Sequence, residues 1–402
     1  MRRPEQAAKP GSTALLAADE AARALGVSKA TLYAYVSRGL LNAVADPADP
    51  RASRYSSFEI EQLGQRRGQG RRGEQQIRGA LTQGWPVLDS ALSGIVDGQL
   101  VFRGRYARDM ARVASLEDTA RWLWQFDPHE PFEADAPVLP EAWSRCVQDT
   151  AGWPLAERTL ARFAVAMGSL HGPAWLPDGE PLARACGQHL RAALACFLGT
   201  PPSPLPAHEQ VAQAWGLHAD AADAVRQAMV LSAEHEMNLI ALTARELASV
   251  GASLGAALLG SLSYLGAAFN GGDAVRVEAL WDEVMAQPDV DAALGARLDR
   301  GETLAGFDHL YYPAGDPRAA ALMALCEQLG AAPPIAAAVE RLTGWKPSLD
   351  FGLVALRRAL GAPRDGATTL LMAPRCAGFI AHALEQRRSG ERMWVRARYV
   401  GP

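Results

Sequence analysis

Residues 306–318 read GFDHLYYPAGDPR. His309 lies between an aspartate and a leucine, and Arg318 follows nine positions later, after a Gly-Asp-Pro break. The stretch is too broken for one helix, because proline removes a backbone donor and pushes its predecessor out of helical geometry. An imidazole and a guanidinium at the ends of irregular segments suit a small anion, since a guanidinium fork matches a carboxylate through two parallel hydrogen bonds. Whether other polar groups join them depends on the rest of the chain.

The 402 residues are 49% hydrophobic and 21% charged, a globular composition with room for two or three domains. No apolar run is long enough to span a membrane. The start, MRRPEQAAKPGSTALL, has no long apolar core of a secretion signal. Cys146, Cys186, Cys196, Cys326 and Cys376 are scattered and form no C-x-x-C pair. That argues against a zinc site or a disulfide framework and points to a reducing, cytoplasmic setting. Charge is uneven. Residues 1–80 hold 13 of the 40 lysines and arginines but 8 of the 44 acidic residues, so the remainder holds 27 against 36. A basic head on an acidic body suggests a segment that faces nucleic acid.

Residues 1–13 carry charge, proline and glycine without periodicity and are expected to be disordered. From Leu15, Ala21, Ala22 and Leu25 form a short apolar face, Gly26 permits a turn, and Ser28 caps a second helix whose Leu32 and Val36 face inward. The exposed positions of that second helix are Lys29, Thr31, Tyr35 and Arg38. A Pro-rich loop, a short RYS strand and a capped helix from Ser57 follow. This pattern resembles the winged helix-turn-helix of the MerR and excisionase type, over residues 14–63, and implies DNA contact by those four residues. Residues 64–74 are Gly- and Arg-rich and read as a linker.

Beyond the linker the chain is mostly helical. LARFAVAMGSL and ACGQHLRAALACFLG keep apolar residues at helical spacing, and PPSPLP at 201–206 separates two helices. IVDGQLVFRG at 95–104 predicts a hairpin about an Asp-Gly turn. No dinucleotide fingerprint, phosphate loop or fixed-period repeat occurs. LSAEHEMNLIALTARELAS at 231–249 predicts one helix with His235, Asn238 and Leu242 on a shared face. Asn270 precedes Gly271 and Gly272 ahead of another helix. Asp350 follows a Lys-Pro break, and Arg375 falls on a late helix. One histidine, two arginines and one aspartate make a kit for holding a dicarboxylate and moving a proton.

The ordered set AEHEMN, GF-x-H-x-x-Y-x-x-GDPRA, P-x-x-DF…RALG-x-P, R-x-x-G-x-IAHALEQ and RARY-x-GP resembles the citrate synthase family. The similarity spans residues 80–402 and includes the entry segment LDSALSGIVDGQLVFRGRYARDMARVASLEDTARWLW. The resemblance implies a mainly α, two-domain fold, with residues 75–271 plus 358–402 as the large domain and 272–357 as the small one. It implies a dimer, and condensation of acetyl-CoA or propionyl-CoA with oxaloacetate or a related 2-oxo acid, without metal or redox cofactor. His235 and His309 would hydrogen-bond the oxo acid, Arg318 and Arg375 would clamp its carboxylates, and Asp350 would take the acyl α-proton.

Two positions depart from the family pattern. The family's G-P-x-H-G-G aligns, without gaps, to AAFNGG, so Asn270 replaces the histidine that donates to the thioester carbonyl. An amide still donates a hydrogen bond. The family's terminal R-P-R becomes W-V-R, so Trp394 replaces an arginine that reaches the partner subunit's ligand, with Arg396 and Arg398 as candidate substitutes. The segment after Asp350 is also short against the family's common DFYSGLVY. The alternative these departures raise is a non-catalytic or hetero-oligomeric paralogue, one that binds ligand and regulates transcription through its N-terminal domain.

Overall fold

The computed structural model describes residues 15–25, 27–37, 41, 43–46, 49–56, 88–170, 177–218, 221–267 and 273–393. The chain divides into two compact units, Met1–Leu88 and Asp89–Pro402. The expected disorder of 1–13, the linker at 64–74, the helix from Ser57, and Arg38 lie outside the described residues.

In the first unit, β1 (Leu15–Ala17), α1 (Ala18–Ala24), α2 (Lys29–Ser37), β2 (Ala43–Asp46) and β3 (Asp49–Ser56) follow one another. The sheet is antiparallel, in the order β1-β3-β2. Ala21, Ala22, Leu25, Leu32, Leu41 and Tyr55 form its core, with Val36 packed against them. The Ser28 hydroxyl accepts from the Thr31 N–H at 3.2 Å and so caps α2. Two surface expectations need correction. Tyr35 packs against the core, while Tyr33 is the exposed aromatic. Thr31 is half-buried and meets Ser28 through its hydroxyl, 2.9 Å away. Lys29 stays exposed, paired with Asp19 at 2.6 Å. The expected RYS strand is longer, because β3 takes in part of the Pro-rich stretch as the central strand of its sheet.

The second unit opens with β4 (Ser93–Val96), β5 (Gln99–Phe102) and β6 (Arg105–Tyr106). Asp97 and Gly98 both have positive φ, 50° and 70°, which is the geometry of the expected two-residue hairpin turn. Fifteen described helices follow. They are α3 (Ala107–Val113), α4 (Leu116–Trp124), α5 (Glu141–Asp149), α6 (Leu155–Ala166) and α7 (Glu180–Leu198). Next come α8 (Ala207–Ala214), α9 (Ala221–Ser232), α10 (Leu239–Ser249), α11 (Leu254–Leu262) and α12 (Asp273–Met285). Last are α13 (Val290–Asp299), α14 (Pro317–Gln328), α15 (Pro334–Thr343), α16 (Leu349–Ala359) and α17 (Gly366–Ser389). No helix among the described residues is long and apolar enough to cross a membrane.

The 24-residue α17 is the central post. It packs against α4, α7, α9, α10, α11 and α16, and a helix surrounded on all sides carries apolar residues on every face. Trp124 of α4 is fully buried and donates from its indole to the Ala377 carbonyl at 2.9 Å. The C-terminal half of the unit adds an aromatic cluster. Phe351 of α16 stacks on Trp281 of α12 with ring centroids 5.4 Å apart and meets Phe307 at a tilt of 51°, centroids 4.7 Å apart.

The single helix expected over 231–249 is instead two. α9 stops at Ser232 and α10 starts at Leu239. Asn238 is the reason for the second boundary. Its side-chain oxygen accepts from the Ile240 and Ala241 N–H groups, both at 3.0 Å, so it caps α10 rather than extending α9. Glu236, at φ 48°, turns the chain between them. His235 therefore sits in a turn, and it does not share a helical face with Asn238 and Leu242.

Candidate active site

His235 projects from the turn between α9 and α10 and is buried. Its Nε2 lies 3.1 Å from the Tyr312 hydroxyl. The rings of His235 and His309 meet edge-on, with centroids 5.6 Å apart. His309 comes from the irregular stretch before α14, the one that opens the sequence argument. The Tyr311 N–H donates to His309 Nδ1 at 3.2 Å, so the neutral ring carries its proton on Nε2. Burial lowers both imidazole pKa values, His235 well below the ordinary range, and the cations Arg318 and, for His235, Arg375 reinforce the shift. Both rings are thus uncharged hydrogen-bonding groups at neutral pH.

Arg318 occupies the first turn of α14. Asp316 caps that helix by accepting from the Arg318 N–H at 3.0 Å, with Pro317 at the favoured first position. The same carboxylate holds the Arg318 side chain, Nε to Oδ1 at 3.0 Å and Nη2 to Oδ2 at 2.8 Å. The guanidinium carbon lies 5.3 Å from the Tyr312 ring centroid. Asp316 also accepts from the Leu349 N–H at 3.1 Å, which ties α14 to the start of α16. Leu349 immediately precedes Asp350.

Asp350 sits in the first turn of α16. It keeps part of its surface open, yet protein surrounds it closely. Burial pushes its carboxyl up from the ordinary value and Asp316 adds to this, while Arg318 and Arg375 oppose it. Arg375, on α17 just after Pro374, is buried, and its Nε donates to the Ser232 carbonyl at 2.6 Å. Burial lowers its pKa, Glu234 raises it, Arg318 lowers it and Asp350 raises it. Two guanidinium groups, two neutral imidazoles, a tyrosine and one carboxyl of raised pKa therefore share a single electrostatic neighbourhood. Such a set can hold a small dianion and take a proton from carbon.

Of the residues expected from sequence, His235, His309, Arg318, Asp350 and Arg375 come together. Asn270, Trp394, Arg396 and Arg398 lie outside the described residues. Lys29, Thr31 and Tyr35 belong to the first unit. Sequence reasoning gave no role to Tyr312, Asp316, Glu234 or His382. The spacing held a signal for two of them. Tyr312 is three positions beyond His309, and Asp316 is an acidic residue directly before a proline, a helix-start signature. Among the described residues no cluster of His, Cys, Asp or Glu could hold a metal ion.

The family description "Citrate synthase, C-terminal domain" matches residues 181–398. A protein called putative citrate synthase 2 from Mycobacterium tuberculosis (strain ATCC 25618 / H37Rv) is 37% identical over 197 residues, 46% of this chain and 52% of that protein. Citrate/2-methylcitrate synthase of Bacillus subtilis (strain 168) is 32% identical over 187 residues, 44% of this chain and 50% of that protein. The chain spans about half the length of the curated relatives it matches. Among solved structures, citrate synthase of Thermotoga maritima MSB8 superposes with a TM-score of 0.65 at 22% identity, covering 79% of this chain and 94% of that one. A ternary complex of carboxymethyl coenzyme A and oxaloacetate with citrate synthase from Thermoplasma acidophilum gives 0.64 at 20% identity, with the same two coverages. These likenesses establish the helical fold.

Proposed function

The chain belongs to the citrate synthase family, and from that premise we propose that it condenses an acyl-CoA, acetyl-CoA or propionyl-CoA, with oxaloacetate or a related 2-oxo acid. The family needs no cofactor, and acyl-CoA enters as a substrate. The observation that carries this reading is the convergence of His235, His309, Arg318 and Arg375 around Asp350.

In the proposed mechanism Arg318 and Arg375 take the oxo acid's carboxylates. His235 and His309 hydrogen-bond the bound acid as neutral groups, with His309 Nε2–H facing the oxygen that becomes negative as the bond forms. Asp350 removes a proton from the acyl carbon next to the thioester. A buried carboxylate with a raised pKa is a stronger base than one in water. The resulting enolate carbon attacks the 2-oxo carbon, and the carbonyl electrons move to oxygen, which takes up a proton. Water then cleaves the thioester and releases the CoA thiol. Asn270 would donate to the thioester carbonyl in place of the family's histidine, which sets a lower rate, since losing a well-placed donor costs on the order of a hundredfold. The cleft would lie between the domain of residues 75–271 plus 358–402 and that of 272–357, in a dimer, with Arg396 or Arg398 reaching the partner's ligand. Product analysis tests the reading. Citrate from acetyl-CoA or 2-methylcitrate from propionyl-CoA is expected, at a higher rate in Asn270→His. No condensed product from the native chain at saturating substrates overturns it.

A second reading concerns the first unit, and the basic charge of residues 1–80 favours it. Its helix pair, closed on its own small core, would present Lys29 and Arg38 to duplex DNA in the manner of a MerR-type domain, and ligand in the second unit would bias that contact. Anisotropy of a labelled duplex at low salt tests it. Binding weakened by Lys29→Ala and Arg38→Ala supports it, and no binding by the full chain removes it. The same assay run with a citrate synthase partner present addresses hetero-oligomers.

A further inference from the structure

A buried chain of polar groups runs behind the site. Glu234 Oε1 accepts from His382 Nε2 at 3.0 Å and from the Ser93 hydroxyl at 3.2 Å. The Ser93 oxygen in turn accepts from the Glu236 N–H at 2.9 Å. On the other side of the ring, Arg245 Nε donates to His382 Nδ1 at 3.1 Å. Arginine only donates, so Nδ1 must be the unprotonated nitrogen and Nε2–H must point at Glu234. Arg245 itself pairs with Glu385. Glu234, His382 and Arg245 are all almost fully buried.

This relay grips the short turn that the active site depends on. The turn starts at Ser232, whose carbonyl anchors Arg375, and carries His235 three residues later. It is pressed against the backbone of α17. The Gly378 N–H donates to the Ala233 carbonyl at 3.1 Å. A Cβ on Gly378 would stand 1.9 Å from Glu234 Oε2 and 2.7 Å from the Ala233 oxygen, so nothing larger than glycine fits. Glu234 Oε2 has no hydrogen-bond partner among the described residues. A buried carboxylate held on one oxygen is costly to keep, and a purely structural role would be served as well by an apolar residue.

Resting on the citrate synthase-type reading above, we infer that Glu234, oriented by His382 and Ser93, is a positioning residue that fixes the distance between the His235 imidazole and the Arg375 guanidinium. In that role it would touch neither substrate. His382 lies seven positions beyond Arg375 on the same helix, so α17 supplies both the anion clamp and the group that sets the clamp's partner. A misplacement of about 1 Å in such a pair costs on the order of a hundredfold.

The test compares the full chain with Glu234→Gln, Glu234→Ala and Ser93→Ala. Glutamine keeps an oxygen acceptor for both donors, alanine keeps none, and Ser93→Ala deletes one donor with little loss of volume. The expected result is an oxo-acid KM raised about a hundredfold in Glu234→Ala and to a lesser degree in Ser93→Ala. The acyl-CoA KM stays unchanged, and Glu234→Gln stays near the native value. If Glu234→Ala does not fold, Ser93→Ala decides. A merely structural role would lower the melting temperature and kcat while leaving both KM values alone, and that result overturns the inference. Failure of the underlying reading looks different. If the native chain neither turns over nor binds oxaloacetate, histidine-selective nuclear magnetic resonance still reads the geometry. The His235 ring signal must shift in Ser93→Ala and Glu234→Ala and hold in Glu234→Gln. An unmoved His235 signal in all three ends the proposal.

Discussion

The Asp316 carboxylate grips the Arg318 guanidinium through two parallel hydrogen bonds of 3.0 and 2.8 Å, with both side chains almost wholly removed from solvent. The pair is internal to one helix start, yet its remaining lone pair reaches Leu349 on another helix. A candidate anion clamp and a candidate base are thereby held by one side chain.

Replacing Asp316 with asparagine separates those duties. The amide presents NH₂ either to Arg318 Nη2 together with the Leu349 N–H or, turned over, to the Arg318 Nε and backbone N–H, donor against donor in both cases. Breaking a buried ion pair from one side costs about 3–5 kcal/mol. Asp316→Asn should therefore show a lower denaturant midpoint and a higher oxo-acid KM. Native values for both would mean that the pair carries no strategic load.

Asp350 makes a prediction about pH. Folding raises its pKa, so the folded state holds that proton more tightly than the unfolded chain does. The group then stabilises the fold at low pH, and that contribution is lost as pH rises through the folded value. At neutral pH the ionised carboxylate is a burden. Asp350→Asn should melt at a higher temperature than the native chain there, with the gap closing as the solution is acidified. In the native chain the acid limb of kcat should lie above the ordinary carboxylate range. Thermal melts and a pH–rate profile check the two halves separately.

Gly378→Ala should destabilise the second unit by about 1–3 kcal/mol or more, as overpacking does, because its Cβ would collide with Glu234 and with the Ala233 carbonyl. Truncating Glu234 in the same chain should recover only part of this, since the backbone oxygen remains 2.7 Å away. Full recovery in the double variant would place the conflict on the side chain alone.

Much of the fold was legible because helical periodicity and turn chemistry are local. The Asp-Gly hairpin, the Pro-rich break before α8 and the Pro317 start of α14 follow from neighbours in sequence. The split at 233–238 was not legible by pattern. AEHEMN contains no proline or glycine, and its apolar spacing continues across the gap. What breaks it is tertiary: Asn238 capping, Gly378 pressed against Ala233, and a relay from a helix about 150 positions later in the chain. The site divides the same way. His309, Arg318 and Asp350 stand out as polar groups at element ends, and Arg375 as an arginine inside a largely apolar helix. Tyr312, Glu234 and His382 gain their meaning only from contacts across the fold, as does the core-facing side of Tyr35.

The account turns on Asp350 as a base beside a bound oxo acid. The most direct measurement is thiol release from acetyl-CoA and propionyl-CoA with oxaloacetate, using the native chain beside Asp350→Ala. The prediction is saturable release that requires both substrates and disappears in the variant. Equal rates in the two proteins, or no release from the native chain at saturating substrates, would contradict it.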